Sequence, residues 1–221
     1  MKHFSFILYF VIFSFSCTHF NQEQRQLREF NEPLDPQKIA ALDLAIESFD
    51  KFLNLNFDSI KTEKEKLIEF LSHYTDTNVT KTWILPDNLN QEILFAFEKS
   101  GLRKEVWLYN CENGDSREEI IEPIEYKNTI NLDSIQNFNY NGNYLKSLKN
   151  IQNPDSSIIN YIQAKEIAGN LSVYISTKGF KYGLENYNTN IEIWKRIIVI
   201  ELYYNLINWR IKNSAHNMRF S

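Results

Sequence analysis

The chain is poor in the residues from which most recognisable catalytic sites are built. Its 221 residues include two cysteines, Cys17 and Cys111, and four histidines. No His-x-x-x-His or Cys-x-x-Cys spacing occurs, which argues against a structural zinc site or a zincin-type helix. Six glycines are too scattered to form a phosphate-cradling loop, and no Gly-x-Ser-x-Gly elbow marks a hydrolase nucleophile. Excess positive charge is missing as well. With 24 basic and 28 acidic side chains the formal net charge is −4, which argues against a general nucleic-acid binder. The apolar run Phe4 to Phe15 is shorter than the roughly 20 residues needed to span a bilayer as a helix.

What is present is ordinary globular material. Hydrophobic residues make up 43% and charged residues 24% of the chain, and its length suits one domain or two small ones. Sixteen Phe and twelve Tyr supply large side chains for a core. The abundance of Asn, Ile, Lys, Phe and Tyr reflects coding bias in an AT-rich genome and carries no mechanism.

The N-terminus has the form of an export signal. Met1-Lys2-His3 is a short basic start, Phe4 to Phe15 is almost wholly apolar, and Ser16-Cys17 precedes an abrupt rise in polarity through Thr18, His19, Asn21 and Gln22. Residues 1–17 resemble the bacterial lipoprotein signal, in which the cysteine after the apolar region is acylated and becomes the new N-terminus. Ser16 fits the small residue of that pattern. Ser14, three residues before the cysteine, departs from its usual aliphatic residue. The resemblance implies lipidation at Cys17, attachment to a membrane through that lipid and a place in the cell envelope. Thr18 after the cysteine points to the outer membrane where there is one. Ordinary secretion with cleavage nearby, and an uncleaved anchor or buried N-terminal helix, are the other readings of the segment. Cys111 would then have no disulfide partner. It is either a small core residue or a free thiol.

The polar stretch 18–34 reads as a flexible tether, 35–213 as a single helical domain and 214–221 as a tail. Asp35-Pro36 is an N-cap followed by proline at the first helical position, and Ile39, Leu42, Ile46, Phe49 and Leu53 form one stripe, predicting a helix over 36–53. Thr62 and Glu65 match a capping box before Leu67, Ile68, Leu71 and Tyr74, predicting a helix over 59–74. A third helix is expected over 88–100, stopped by Gly101. Residues 103–109 suit either a helical turn or a strand. Asn110 to Asn143 is an irregular loop or small subdomain, with a short hairpin expected near Phe138 to Tyr144 and a short helix near 143–150. Asn153-Pro154 opens a helix of about 154–176, broken near Gly169. Thr189 and Glu192 open the last one, about 190–212. That last helix is apolar on every side over Ile197 to Ile207, which makes it central in the fold. The expected class is therefore all-α, an irregular bundle of six or seven helices around a central C-terminal helix.

Few residues invite a functional reading. Glu201 lies in the most apolar segment, where a carboxylate must find a partner or be protonated. It is either an acid for catalysis or paired in the core with an Arg or Lys or with a Tyr hydroxyl, Arg196 and Arg103 being possible partners. His73 falls in the predicted core. The acidic run Glu112, Asp115, Glu118, Glu119, Glu122 and Glu125 lacks the spacing of an EF-hand and reads as a solvated loop. The segment Phe138-Asn-Tyr-Asn-Gly-Asn-Tyr144 sets Tyr140 and Tyr144 among Asn amides, a combination that could bind a glycan or peptide. No metal or cofactor is expected. The leading expectation is a non-enzymatic binding or scaffold module of the envelope with a protein, peptide or glycan partner. A hydrolase or lyase using Glu201, and an inhibitor or immunity-type protein docking through the acidic run, are the alternatives.

Overall fold

The computed structural model describes residues 22–86, 89–109 and 136–217. These are nearly all helical: α1 (22–31), α2 (Pro36–Asn56), α3 (Glu63–His73), α4 (Thr77–Thr82), α5 (Leu89–Ser100), α6 (Leu102–Val106), α7 (Asn143–Asn150), α8 (Ser156–Ala168), α9 (Val173–Asn186), α10 (Ile191–Ile198) and α11 (Tyr204–Asn217). The chain is thus an all-α protein. One small antiparallel ladder interrupts it, β1 (Trp107–Tyr109) against β2 (Gln136–Phe138), with Trp107 opposite Phe138. Residues 103–109 are therefore a helical turn and then a strand. Gln136 to Phe138 pairs back to β1, so the hairpin expected at 138–144 does not form; α7 starts there instead. Cys17, Cys111 and the acidic run 112–125 lie outside the described residues.

Local chemistry explains most boundaries. The Asp35 carboxylate accepts from the Gln37 and Lys38 backbone N–H groups, with Pro36 in the first turn. Thr62 and Glu65 close a complete capping box on α3. Gly101 ends α5 at φ 76°, a left-handed conformation that favours glycine. The break expected near Gly169 is there, at φ 61°, and it separates two helices rather than kinking one.

α10 and α11 form one long helix joined by a π-helical turn, Val199–Tyr203. Ile197, Ile198, Val199, Ile200, Tyr203 and Ile207 are fully buried, so this helix is the centre of the fold, as its all-round apolar sequence requires. α2 packs on it with Phe49 and Phe52, whose rings meet Phe70 of α3, Trp83 and Tyr203 at centroid distances of 4.8–5.7 Å. Two buried cations on α10 tie it to its neighbours. Lys195 reaches Asp50, Glu63 and Glu192, and Arg196 reaches Asp43 and Glu192.

The expected tether over 18–34 is, from residue 22 onward, part of the fold. Phe30 and Leu34 are buried, and Phe30 packs edge-on against Tyr144. Gln26 donates to the Asn153 carbonyl at 3.0 Å and accepts from Asn190, while Glu29 accepts from the Gln152 N–H. Leu27, Phe30 and Leu34 recur at spacings of three and four, a stripe short enough to be hidden among polar neighbours.

Candidate functional site

The site begins with the π-helical turn. Inserting an extra residue into a helix displaces the usual i→i−4 ladder, leaves carbonyls to be satisfied by side chains and often occurs at functional positions. Here the Glu201 carbonyl accepts from Asn205 at 2.9 Å and the Leu202 carbonyl from the Tyr74 hydroxyl at 2.6 Å. The turn presents the Glu201 side chain toward α8.

Glu201 is nearly enclosed, and of the partners expected it has a core lysine and a tyrosine hydroxyl rather than either of the two named arginines. The Lys165 ammonium of α8 lies 2.8 Å from Oε1 and 2.9 Å from Oε2. Arg103 instead pairs with Glu98 and donates to the Trp107 carbonyl, and Arg196 pairs as described above. Lys165 is fully buried, with its ammonium 4.4 Å from the centre of the Phe138 ring. A second group joins it on the carboxylate: the Tyr161 hydroxyl donates to Oε1 at 2.7 Å. Tyr161 has one hydroxyl hydrogen, so the 2.8 Å contact between the Tyr144 and Tyr161 oxygens must be donated by Tyr144. The result is a buried chain Tyr144–Tyr161–Glu201–Lys165 linking α7, α8 and the central helix.

This network places two of the sequence candidates. Tyr144 is fully buried and cannot meet a surface ligand, so its expected role in binding is corrected to a structural one. Its ring lies on the inner face of α7 beside Leu145 and Leu148, not in a loop. Tyr140 is exposed, with its ring edge-on to Phe138 at 5.3 Å. His73 is not a core residue; it is half-exposed and bonded to Glu69 at 2.9 Å. Among the described residues no group of three or more His, Cys, Asp or Glu side chains is placed to hold a metal ion.

Burial raises the Tyr144 and Tyr161 hydroxyls well above the ordinary phenol value of 10.0, and the nearby Glu201 charge acts in the same direction. Burial also pushes Tyr203 up to about 12, against the opposing hydrogen bond from Ser48. A pKa raised in the folded state contributes stability that is complete below the unfolded value and is lost as pH rises through the folded one. Stability measured by urea unfolding is therefore expected to be insensitive to these groups up to about pH 9 and to fall progressively above about pH 10. Phenolate absorbance should place the Tyr203 step at about pH 12. Simultaneous titration of all tyrosines near pH 10 in the folded protein would contradict this.

Two cavities of about 180 Å³ each flank the start of α9 and share Leu171 and Ser176 as a common wall. One is polar, walled by Gln136, Asn170, Ser176, Glu201 and Asn205. The other is apolar and aromatic, walled by Tyr161, Ile175, Phe180, Tyr182, Tyr187 and Trp194. No family model, curated protein or solved structure matches the chain. The function must therefore be argued from the site itself. No helix among the described residues is long and apolar enough to cross a membrane.

Helices α8 and α9 and the segment between them expose several large apolar side chains. Eleven large hydrophobic side chains are exposed among the described residues, and six of them fall within 159–182: Ile159, Ile167, Val173, Tyr174, Ile175 and Tyr182. Isolated exposed apolar residues are normal; of these six, Ile175 and Tyr182 line the apolar cavity together. Nothing in the sequence marks these residues as exposed, because apolar side chains at helical spacing look alike whether they face the core or the solvent.

Proposed function

We propose that this chain is a lipoprotein of the bacterial cell envelope, tethered through Cys17, that works as a non-catalytic binding module. The α8–α9 face is its recognition surface. The observation that carries the binding role is an apolar cavity between α8 and α9 whose lining residues Ile175 and Tyr182 are more than half exposed. The tether rests on residues 1–17 and their resemblance to a lipoprotein signal.

Glu201 fits a structural role better than a catalytic one. Its oxygens are already engaged by an ammonium and a hydroxyl, and a general acid or base would have to give up that pairing to exchange a proton. The specific feature on the other side is that Glu201 lines the polar cavity.

Two measurements test the proposal. Cys17→Ser is expected to move the protein from the membrane fraction to the soluble one, since more than one acyl chain gives stable anchoring. Retention in the membrane fraction would refute the lipid tether. The full-length lipidated protein is then used to recover partners from native envelope, beside an Ile175→Asp/Tyr182→Asp variant. A partner retained by the natural chain and lost by the variant supports the α8–α9 surface. Equal recovery by both rejects it.

A further inference from the structure

The polar cavity lies where three parts of the chain meet: the β1–β2 ladder, the link between α8 and α9, and the π-helical turn. Two of these depart from regular geometry to reach it. Gly169, at φ 61°, turns the chain out of α8, and a Cβ there would collide with the Tyr140 hydroxyl and press on Phe138. The turn lays Asn170 against β2, where its amide nitrogen donates to the Gln136 carbonyl at 2.8 Å. On the central helix the π-helical turn leaves the Glu201 carbonyl to the Asn205 side chain. Both Glu201 and Asn205 thereby line the cavity.

The wall has a definite hydrogen-bonding character. The nitrogens of Asn170 and Asn205 each serve a backbone carbonyl, which fixes the two amides. No donor among the described residues bonds to either Oδ1 oxygen, so both remain as acceptors. Glu201 Oε2 has a single contact, with Lys165, and keeps a lone pair. Ser176 and Gln136 add a hydroxyl and an amide. A ligand that satisfies this wall must bring several donors.

Charge and size narrow it further. Glu201 is the one ionisable residue among those lining the cavity, and Lys165, which does not line it, neutralises that carboxylate. A bound cation would lie near the Lys165 ammonium and a bound anion near the carboxylate, so the site favours a neutral molecule. A cavity of about 150 Å³ accommodates benzene, so about 180 Å³ suits one substituted six-membered ring. The apolar part of the wall is Leu171, Val173 and Leu202. The Trp107 ring is 4% exposed and already stacked on Tyr204. Aliphatic walls fit the C–H faces of a saturated ring and give a flat aromatic one no open ring to stack on.

We infer that this cavity is a binding site for one neutral, saturated, hydroxyl-rich ring, the size and chemistry of a single sugar unit. The inference goes beyond the binding role of the α8–α9 face and does not depend on it.

The test titrates the full chain, in a detergent without sugar groups, with glucose, galactose, mannose and myo-inositol. Cyclohexanol, methylammonium and acetate are the controls for a ring with one hydroxyl, a cation and an anion. Binding is read from the side-chain amide resonances of Asn170 and Asn205. At least one polyol is expected to shift them with a Kd on the order of 1 mM, and each control should bind about tenfold more weakly or not at all. Val173→Trp narrows the cavity from a position 45% exposed, so the variant should fold and bind the best polyol about tenfold more weakly. Asn170→Ala removes one acceptor from an exposed position and should weaken it several-fold, read at Asn205. That second variant keeps the test decisive should the tryptophan variant misfold. Three results would overturn the inference: no polyol moves the resonances, cyclohexanol binds as well as the best polyol, or folded variants bind like the natural chain. Tighter binding of methylammonium or acetate would reject a neutral ligand.

Discussion

Replacing Lys165 with methionine is expected to destabilise the protein by about 3–5 kcal/mol, the range seen when one partner of a buried ion pair is removed. The reason lies in what stays behind. Lys165 is 1% and Glu201 9% exposed at the side chain, so the carboxylate would keep its burial and lose its counter-ion. The Tyr161 hydroxyl would still donate to it, but one neutral donor does not offset a buried charge. Urea unfolding reads the effect as a lower midpoint at unchanged slope. The double variant Lys165→Met/Glu201→Gln separates charge from packing. Glutamine keeps an acceptor for Tyr161 and removes the charge, so the pair of changes should recover most of the loss, to within about 2 kcal/mol of the natural chain. A single-variant cost below about 1 kcal/mol would mean that Glu201 behaves as a solvated surface group. The polar cavity would then be water-filled to its floor.

Phe52→Ala should cost as much, about 3–5 kcal/mol, by a different mechanism. Phe52 is fully buried and its ring meets Phe49, Phe57, Phe70, Trp83 and Tyr203 within 6.3 Å between centroids. Removing it opens a void where α2, α3, the Trp83 segment and the central helix converge, and rings fixed on four separate elements cannot collapse into it. Phe95→Ala is the control. That ring is 65% exposed, and its loss should stay within about 0.5 kcal/mol. Similar effects from the two substitutions would show that the aromatic cluster is not the core of the fold.

Helices were legible in the sequence wherever local chemistry and periodicity agreed. Asp35-Pro36, the Thr62–Glu65 box and Gly101 each mark a boundary through groups only a few residues apart, which a linear reading can weigh. The central helix was legible for a different reason: an apolar stretch with no polar face has nowhere to lie but the middle. What stayed hidden depends on distance in the chain. Lys165 and Glu201 are far apart in sequence, and nothing near Glu201 names its partner. A hint exists, since Ile158, Tyr161, Ile162 and Lys165 recur at helical spacing and put a cation on an apolar stripe. Tyr144 read as a loop residue because Asn141-Gly142 precedes it. It belongs instead to the first turn of α7, with its hydroxyl satisfied by Tyr161. The cavities were not legible at all. A cavity is an absence between elements, which no local run of residues records.

The way α1 grips the domain also decides how the molecule would bear load. Traction on the chain upstream of residue 22 enters through Gln26, Glu29 and the buried Phe30. From there it divides, one share going to the α7–α8 turn at Gln152 and Asn153 and the other to Asn190 at the head of the central helix. Force is thus spread over two anchor points remote from each other in sequence, and no single helix is peeled from its end. The seam that yields first is the short one between α1 with its C-terminal turn and the bundle, held by a few amide and carboxylate contacts and by Leu27, Phe30 and Leu34. A protein slung from a surface by its N-terminus would stretch there and keep the α8–α9 packing intact.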